Sequence, residues 1–388
     1  MSKSTPEFFH VAPVQDALKK VFQYCPELAT ELPIEIATTD ALHRVIAVAL
    51  YSPIDLPQFA RSTMDGYAVR AADTFGASAN LPAYLKRAGS VPMGRAAEVA
   101  LQQGQAVEIY TGGMLPPGAD AVVMVERTQI VDEYEIEVLA PVAPGENVVQ
   151  IGEDVRAGDE ILPVGHRLRA QDVGGLLGVG ITQLQVRRSL RIGIVSSGDE
   201  LVSPDQIPEL GQVRDINSYT LMGLIQTAFP DAQVTQYGIA DDTFEALFAL
   251  AKNALRENDM LILTAGSSVS TRDLTRDVID HLGKPGVLQH GLAVKPGKPT
   301  IIAACGTKPV IGLPGNPVSA FLVARQLILP ILHHLSGEAV RPVASVKAEL
   351  SQNIASSTGR EDTVPVRLIS RDGAYIADPV FGKSNLIY

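Results

Sequence analysis

Arg191-Ile-Gly-Ile-Val-Ser-Ser-Gly-Asp-Glu200 is an apolar run that stops on small and acidic residues. Such a run, bounded by a glycine turn, reads as a buried strand whose chemistry lies in the turn after it. Similar runs occupy residues 234–239, 260–264, 300–304 and 309–313. Helical patterns alternate with the first three of these five and follow the last. Residues 217–229 carry Met222, Ile225 and Phe229. Asp242-Thr-Phe-Glu245 has the spacing of a capping box with Asp242 at the N-cap, ahead of Phe244, Leu247, Phe248, Ala251 and Leu255 on one face. Asn316-Pro317 offers an N-cap and then proline at the first helical position, opening a helix to about His334. Strand and helix in alternation predict a parallel sheet covered on both faces. Ligands of such sheets sit at the carboxyl ends of the strands.

Four of those ends carry turns of one chemical kind, small residues with exposed N–H groups together with carboxylates. They are Ser196-Ser197-Gly198-Asp199-Glu200, Ala240-Asp241-Asp242, Ala265-Gly266-Ser267-Ser268-Val269-Ser270 with Asp273, and Leu313-Pro314-Gly315-Asn316-Pro317. Glycine and serine let the backbone approach an anion, and a following helix N-terminus favours negative charge. Lys295 and Lys298, in Lys-Pro-Gly-Lys-Pro, add cationic charge on a loop stiffened by proline. Together these turns point to a phosphate-bearing ligand, with carboxylates serving Mg²⁺ shared with the phosphate.

Outward from this segment the texture changes. Val14, Ala17, Leu18, Val21 and Phe22 lie on one helical face, and a second helix is expected from Thr39-Asp40 through Leu42, Val45 and Ile46. Residues 51–155 are β-like, with strands expected at 107–111, 121–126 and 135–139. A hairpin is expected over 156–168 and a short glycine-heavy helix from Ala170. Short β segments return after Gly337, at 344–350, 363–369 and 374–377. Arg61-Ser-Thr-Met-Asp65-Gly-Tyr-Ala-Val69 sets one acid among apolar residues, and on local grounds reads as a turn whose Asp caps its own backbone.

Composition narrows the function. At 388 residues the chain exceeds one hydrophobic core, and 46% hydrophobic with 19% charged residues is a globular profile. The 32 basic and 43 acidic residues leave a net charge of −11, which repels nucleic acid unless a basic stripe overrides it, and no block of five like charges occurs. Two cysteines, Cys25 and Cys305, make neither a disulfide framework nor a thiolate metal site. No run reaches the ~18 to 20 consecutive apolar residues of a membrane span, and Met1–Pro13 lacks a leader pattern, so a soluble, cytoplasmic protein is expected. There is no HExxH pair, GxGxxG fingerprint or GxSxG elbow, and Gly291-Leu-Ala-Val-Lys-Pro-Gly-Lys-Pro299 departs from a P-loop in spacing and in its last residue.

Several stretches are similar to the MoeA family of molybdopterin molybdenumtransferases, and to the E domain of gephyrin. They are Ser52-Pro-Ile-Asp-Leu-Pro-Gln-Phe-Ala-Arg-Ser-Thr-Met-Asp-Gly-Tyr-Ala-Val69, Thr111-Gly-Gly-Met-Leu-Pro-Pro-Gly-Ala-Asp-Ala-Val-Val123, Gly152-Glu-Asp-Val-Arg156, Ser196-Ser-Gly-Asp-Glu-Leu201, Asp215-Ile-Asn-Ser218, Lys295-Pro-Gly-Lys-Pro299 and Gly312-Leu-Pro-Gly-Asn-Pro-Val-Ser319. They follow the family's order over nearly the whole chain.

The resemblance implies a multidomain α/β plus β fold in four parts. These are a discontinuous helical domain (1–50 and 156–185), a β-rich domain (51–155), a molybdopterin-binding α/β domain (186–336) and a C-terminal β-barrel-like domain (337–388). It implies a homodimer, Mg²⁺, a molybdopterin adenylyltransferase upstream, and insertion of molybdenum from molybdate into adenylylated molybdopterin with release of AMP. Matching site positions are Asp65, Thr111, Asp154, Glu200, Asp273 and one of Asp241 and Asp242, with Glu200 and Asp273 assigned to Mg²⁺. Ser196, Ser197, Gly198, Gly266, Ser267, Ser268, Ser270, Lys295, Lys298, Pro314, Gly315 and Asn316 are assigned to the pterin ligand. Two departures stand out: serine where the family commonly has a second glycine, at Ser267-Ser268, and a C-terminus at Tyr388 that stops where relatives usually add a strand. The alternatives are the adenylyltransferase itself, whose family lacks the Met-Asp-Gly-Tyr domain, and a non-catalytic gephyrin-like scaffold, which would have no need of the four acids.

Overall fold

The computed structural model describes residues 10–28, 33–265, 269–339 and 344–380, with backbone only at 265 and 269–273. The chain forms two units. One comprises Met1–Val48, Val164–Ala170 and Gln183–Tyr388, the other Ala49–Pro163 and Gln171–Thr182.

The larger unit is built on a six-stranded sheet in the order Gln233–Ala240, Arg191–Ser197, Met260–Ala265, Lys308–Leu313, Ile301–Cys305, Pro285–His290. The first four strands are parallel. Ile301–Cys305 alone is reversed, antiparallel to both of its neighbours, and Pro285–His290 beyond it runs with the first four. The expected parallel sheet is therefore mixed. Only two residues join Cys305 to Lys308, and a parallel crossover needs a dozen or more. The edge strand Pro285–His290 escapes the sequence pattern because proline and glycine open it.

Side chains alternate across this sheet. Ile192, Ile194, Met260, Ile262 and Ile311 enter one core with the helices Val14–Tyr24, Asn217–Ala228 and the run from Pro317 to Ser336. Val195, Leu261, Leu263 and Val310 enter the other, under the helix Phe244–Glu257 and Val278 and Ile279 of Val269–Leu282. The run from Pro317 to Ser336 is long and apolar enough to cross a membrane by length and composition. It carries Arg325 and Gln326, and its Val323, Leu327, Ile328, Ile331 and Leu332 are fully buried in the first core, as in a core helix. A π-type turn at Ala324–Ile328 lies just ahead of Pro330, whose missing N–H interrupts the helical ladder.

The second expected helix near Thr39 is absent. A 3₁₀ turn, Thr38–Asp40, is followed by His43 at φ 66°, a left-handed conformation that stops a helix. Val45 and Ile46 then bridge to Arg167 and Val186, and Ile34–Ala37 pairs antiparallel with Gln183–Val186. Nor do residues 156–168 form their own hairpin. Glu160–Leu162 pairs with Leu50–Tyr51 instead. Strands here choose distant partners. Past Gly337, Glu349–Leu350, Ala374–Pro379 and Val366–Arg371 form a three-stranded sheet, while Glu361–Asp362 pairs with Val294–Lys295. Residues 340–343 and 381–388 of the expected barrel lie outside the described residues.

The smaller unit holds a second six-stranded sheet, ordered Ala121–Met124, Gly66–Val69, Gln105–Ile109, Ala83–Ser90, Glu135–Val138, Thr128–Ile130. Tyr67, Leu85, Ile136 and Val138 fill one face, and Ala68, Val107, Ile109 and Val122 the other. The short helix Ala170–Gly178 starts where the sequence placed it.

Arg167 clamps the larger unit's separated pieces. It donates to Glu338 Oε2 through Nε at 2.9 Å and to His43 O through a terminal nitrogen at 3.0 Å, and stacks 4.6 Å from the Phe229 ring centre. Burial alone would raise the Glu338 carboxyl. Hydrogen bonds from His333 and Arg167, with the attraction of both, outweigh burial and bring it down to about 2. A lowered carboxyl stabilises the fold above the ordinary carboxylate range, and that stability is lost as pH falls toward 2. Glu338→Gln should lower the melting temperature by roughly 5–10 °C near pH 7. The gap between variant and wild type should narrow steadily from pH 5 to pH 3 in calorimetric scans. A gap independent of pH would mean that the charge does not stabilise this clamp.

Candidate functional site

Because four strands run the same way, Ser197, Ala240, Ala265 and Leu313 all end at one edge of the larger sheet. The antiparallel strand contributes its beginning: Ile301 pairs with Gly312, so the lysine loop that precedes it opens at the same edge. Pro285–His290 ends at this edge as well, with His290 paired to Ile301, so the loop carrying Lys295 and Lys298 has both its ends here. The correction to the topology thus brings the expected cations to the expected turns.

The turns are tied together beneath the surface. Ser196 Oγ and Ser218 Oγ both donate to Asp215 Oδ2, at 2.6 and 2.7 Å, and Thr264 Oγ1 donates to Ser196 Oγ at 3.0 Å. All four residues are buried. Ser196 is therefore a brace under the site, its hydroxyl engaged inside. Ser197 Oγ donates to Asp242 Oδ1 at 2.7 Å, and Asp242 N donates to Asp199 Oδ1 at 2.9 Å. That occupies Asp242, so the helix cap passes to Thr243, whose hydroxyl accepts from Ala246 N. The expected capping box starts one residue too early. Asp241 is the exposed member of the pair, its carbonyl accepting from Thr243 N at 2.7 Å.

Gly198 has φ 155°, and a Cβ there would lie 2.7 Å from Glu200 Oε2. The glycine thus leaves room for that carboxylate. On the far side, Asn217 Nδ2 donates to Gly315 O at 2.8 Å, which fixes the Pro314-Gly315-Asn316 turn. Asn316 starts the helix Pro317–Val323 with proline following, as expected, although its side chain does not cap it. In the lysine loop, Gly297 has φ 105° and a Cβ there would meet Val323 Cγ2 at 2.2 Å. Only glycine allows the loop to lie against that helix. Lys295 O accepts from Thr363 N at 2.8 Å, so the C-terminal segment braces the loop too. The Asp362 carboxyl beside it is held low, first by its hydrogen bond from Arg360 and last by the charge of Lys295. Gly266, Ser267 and Ser268, and the side chains of Ser270 and Asp273, lie outside the described residues.

In the smaller unit, Asp65 does not cap its own turn. Its Oδ1 accepts from Thr111 N at 2.7 Å and from Thr111 Oγ1 at 2.8 Å, across 46 positions of sequence. The backbone bond from Thr111, then its hydroxyl, holds the Asp65 carboxyl below its ordinary value. Gly66 is needed beside it, since a Cβ would fall 1.9 Å from Val123 O. Asp154 lies elsewhere in this unit, lining a cavity of about 610 Å³ with Leu56, Val155, Leu162, Asp172 and Leu176. Sequence reasoning missed Asp215, Asn217, Ser218 and Thr264 as members of the edge network. The stretch Asp215-Ile-Asn-Ser218 was the available signal.

Among the described residues no three His, Cys, Asp or Glu side chains gather to hold a metal. Of the two acids assigned to Mg²⁺, Glu200 stands at the edge among phosphate-type turns. Mg²⁺ binds through one or two carboxylates together with phosphate and water, so this donor set fits a phosphate-shared ion rather than an all-protein cage.

Two measurements check the geometry. Thr111→Val removes the hydroxyl but keeps the N–H, so the Asp65 carboxyl should move up toward its ordinary value while staying below it. Any activity that needs the carboxylate should then lose its acid limb at a higher pH than in the wild type; an unmoved pH profile would separate Asp65 ionisation from activity. Gly198→Ala should displace Glu200, a mobile side chain, at about 1 kcal/mol of backbone strain. The melting point should fall by only a few degrees while activity drops at least about tenfold. Full activity would take Glu200 out of the site.

Comparisons with known proteins agree over both units. A family model for the MoeA N-terminal region, domains I and II, matches residues 12–180, and one for a probable molybdopterin binding domain matches residues 193–334. A putative molybdopterin biosynthesis protein of Methanocaldococcus jannaschii is 37% identical, covering 92% of this chain and 87% of its own. A molybdopterin molybdenumtransferase of Nostoc is 32% identical over 93% of this chain and 83% of the relative. The solved molybdopterin biosynthesis MoeA protein of Pyrococcus horikoshii OT3 superposes with a TM-score of 0.81 at 30% identity, covering 97% of this chain and 92% of that one.

Proposed function

The chain belongs to the MoeA family of molybdopterin biosynthesis proteins, and from that premise we propose that it inserts molybdenum from molybdate into adenylylated molybdopterin, releasing AMP. The observation that carries this reading is the braced edge of the larger sheet, where small-residue turns, the Glu200 carboxylate and the two lysines converge. Such an edge suits a phosphate-linked ligand. Among the described residues it holds no serine-histidine nucleophile, and transfer of a metal oxyanion to a dithiolene calls for none.

In this proposal Lys295, Lys298 and the turns at Ser197-Gly198 and Pro314-Gly315-Asn316 bind the phosphates. Asp242 keeps Ser197 and Asp199 in register, and Glu200 with Asp273 would hold Mg²⁺. When bound, that ion would offset phosphate charge as AMP leaves. Asp65, kept ionised by Thr111, and Asp154 would orient the oxyanion or take up its protons. The working form is proposed to be a cytoplasmic homodimer of four-domain subunits with a C-terminal barrel, supplied by a molybdopterin adenylyltransferase.

Purified protein incubated with adenylylated molybdopterin, Mg²⁺ and molybdate should release AMP and yield a molybdenum–pterin detectable by mass spectrometry. Tungstate in place of molybdate tests metal choice. Lys295→Ala with Lys298→Ala should weaken pterin binding by on the order of 10²-fold, from ~1.5 kcal/mol per charge-assisted contact. In the dimer, Asp65→Ala and Glu200→Ala chains should each be nearly inactive alone and regain activity when mixed, if one copy's Asp65 serves the other's edge. AMP release without metal transfer would point to a different reaction on the same ligand.

A further inference from the structure

The two most exposed large apolar side chains among the described residues sit on one loop, residues 203–212: Ile207 is 89% exposed and Leu210 107%. Both ends of that loop are rooted in the candidate site. Leu201–Val202 pairs in parallel with Val213–Arg214, Val213 N donates to Glu200 O at 2.8 Å, and Asp215 N donates to Val202 O at 2.9 Å. One root thus adjoins Glu200, and the other the buried Asp215.

The loop is not slack. Arg214 Nε donates to Pro204 O at 3.0 Å and to Gln206 O at 3.1 Å. Gln206 N donates to Ser203 O and Gln212 N to Glu209 O, each at 3.0 Å, and the Ser203 hydroxyl binds Asp205. Such bonding holds Ile207 and Leu210 in a fixed place without covering them. Two large apolar groups held in water on a loop whose roots adjoin a polar site are suited to an apolar ligand surface. The polar groups beside the roots address phosphate, so the surface left for the loop is a ring face.

Resting on the function proposed above, we infer that residues 203–212 form a flap over the site, with Ile207 and Leu210 packing on a planar heteroaromatic ring of the adenylylated pterin. Both residues set how tightly that ring is held and take no part in the chemistry.

The chain contains no tryptophan, so Leu210→Trp carries a single indole at the flap. Its emission should shift to shorter wavelength on saturation with AMP if the adenine is covered, or only with the complete adenylylated pterin if the pterin is covered. Ile207→Ser with Leu210→Ser should raise the KM for the adenylylated pterin at least about tenfold, with kcat within about twofold and an unchanged melting point. Leu81→Ser, at an exposed position of the smaller unit, should alter neither. An unchanged KM with no shift from either ligand overturns the flap. So does dissociation of a dimer at unchanged KM, which would give these residues to a second copy. If the wild type turns over no substrate, the transferase reading fails on its own, while the indole still reports whether a ring enters beneath the loop.

Discussion

The direction of one strand governs this molecule's chemistry. Parallel strands place all their carboxyl ends at one edge, which gathers the turns after Ser197, Ala240 and Leu313. The reversal at Ile301–Cys305 adds the loop that comes before a strand to the loops that come after the others. That reversal, enforced by a connection of two residues, keeps both ends of the lysine loop at the edge where the small-residue turns lie.

What holds the edge in shape is a buried carboxylate with three hydroxyls around it. Asp215 accepts from Ser196 and Ser218, and Ser196 in turn accepts from Thr264, so a strand end, its neighbour and a helix start are fixed relative to one another. A buried carboxylate with its partners satisfied is rigid, and with one missing it is costly. The small-residue turns at the edge are set on this brace.

Much of this was legible in the sequence, and the failures have physical causes. The buried strands read clearly because their apolar runs are continuous, and the turns because glycine and serine end them. Thr243 and Asp242 can both cap a helix, so spacing alone could not choose between them; the bond from Ser197 decides it. Helical spacing through Val45 and Ile46 misled because their partners, Arg167 and Val186, are more than a hundred positions away. The tie from Thr111 to Asp65 is equally non-local, and a local reading turned that acid into a turn cap. Asp215 was overlooked as a site residue because a carboxylate facing inward leaves no pattern in its own neighbourhood.

That dependence on distant partners has a cost in time. Ile34–Ala37 can pair only with Gln183–Val186, so a nascent chain carries an unmatched strand until 146 further residues, from Ala37 to Gln183, have been made. At roughly 5–20 residues per second this is a wait of roughly 7–30 s. During it the smaller unit's segment from Ala49 to Pro163 is complete and can collapse by itself. The unpaired edge of residues 34–37 is then a place for ribosome-bound chaperones to act, and crowded synthesis would favour pairing between neighbouring nascent chains.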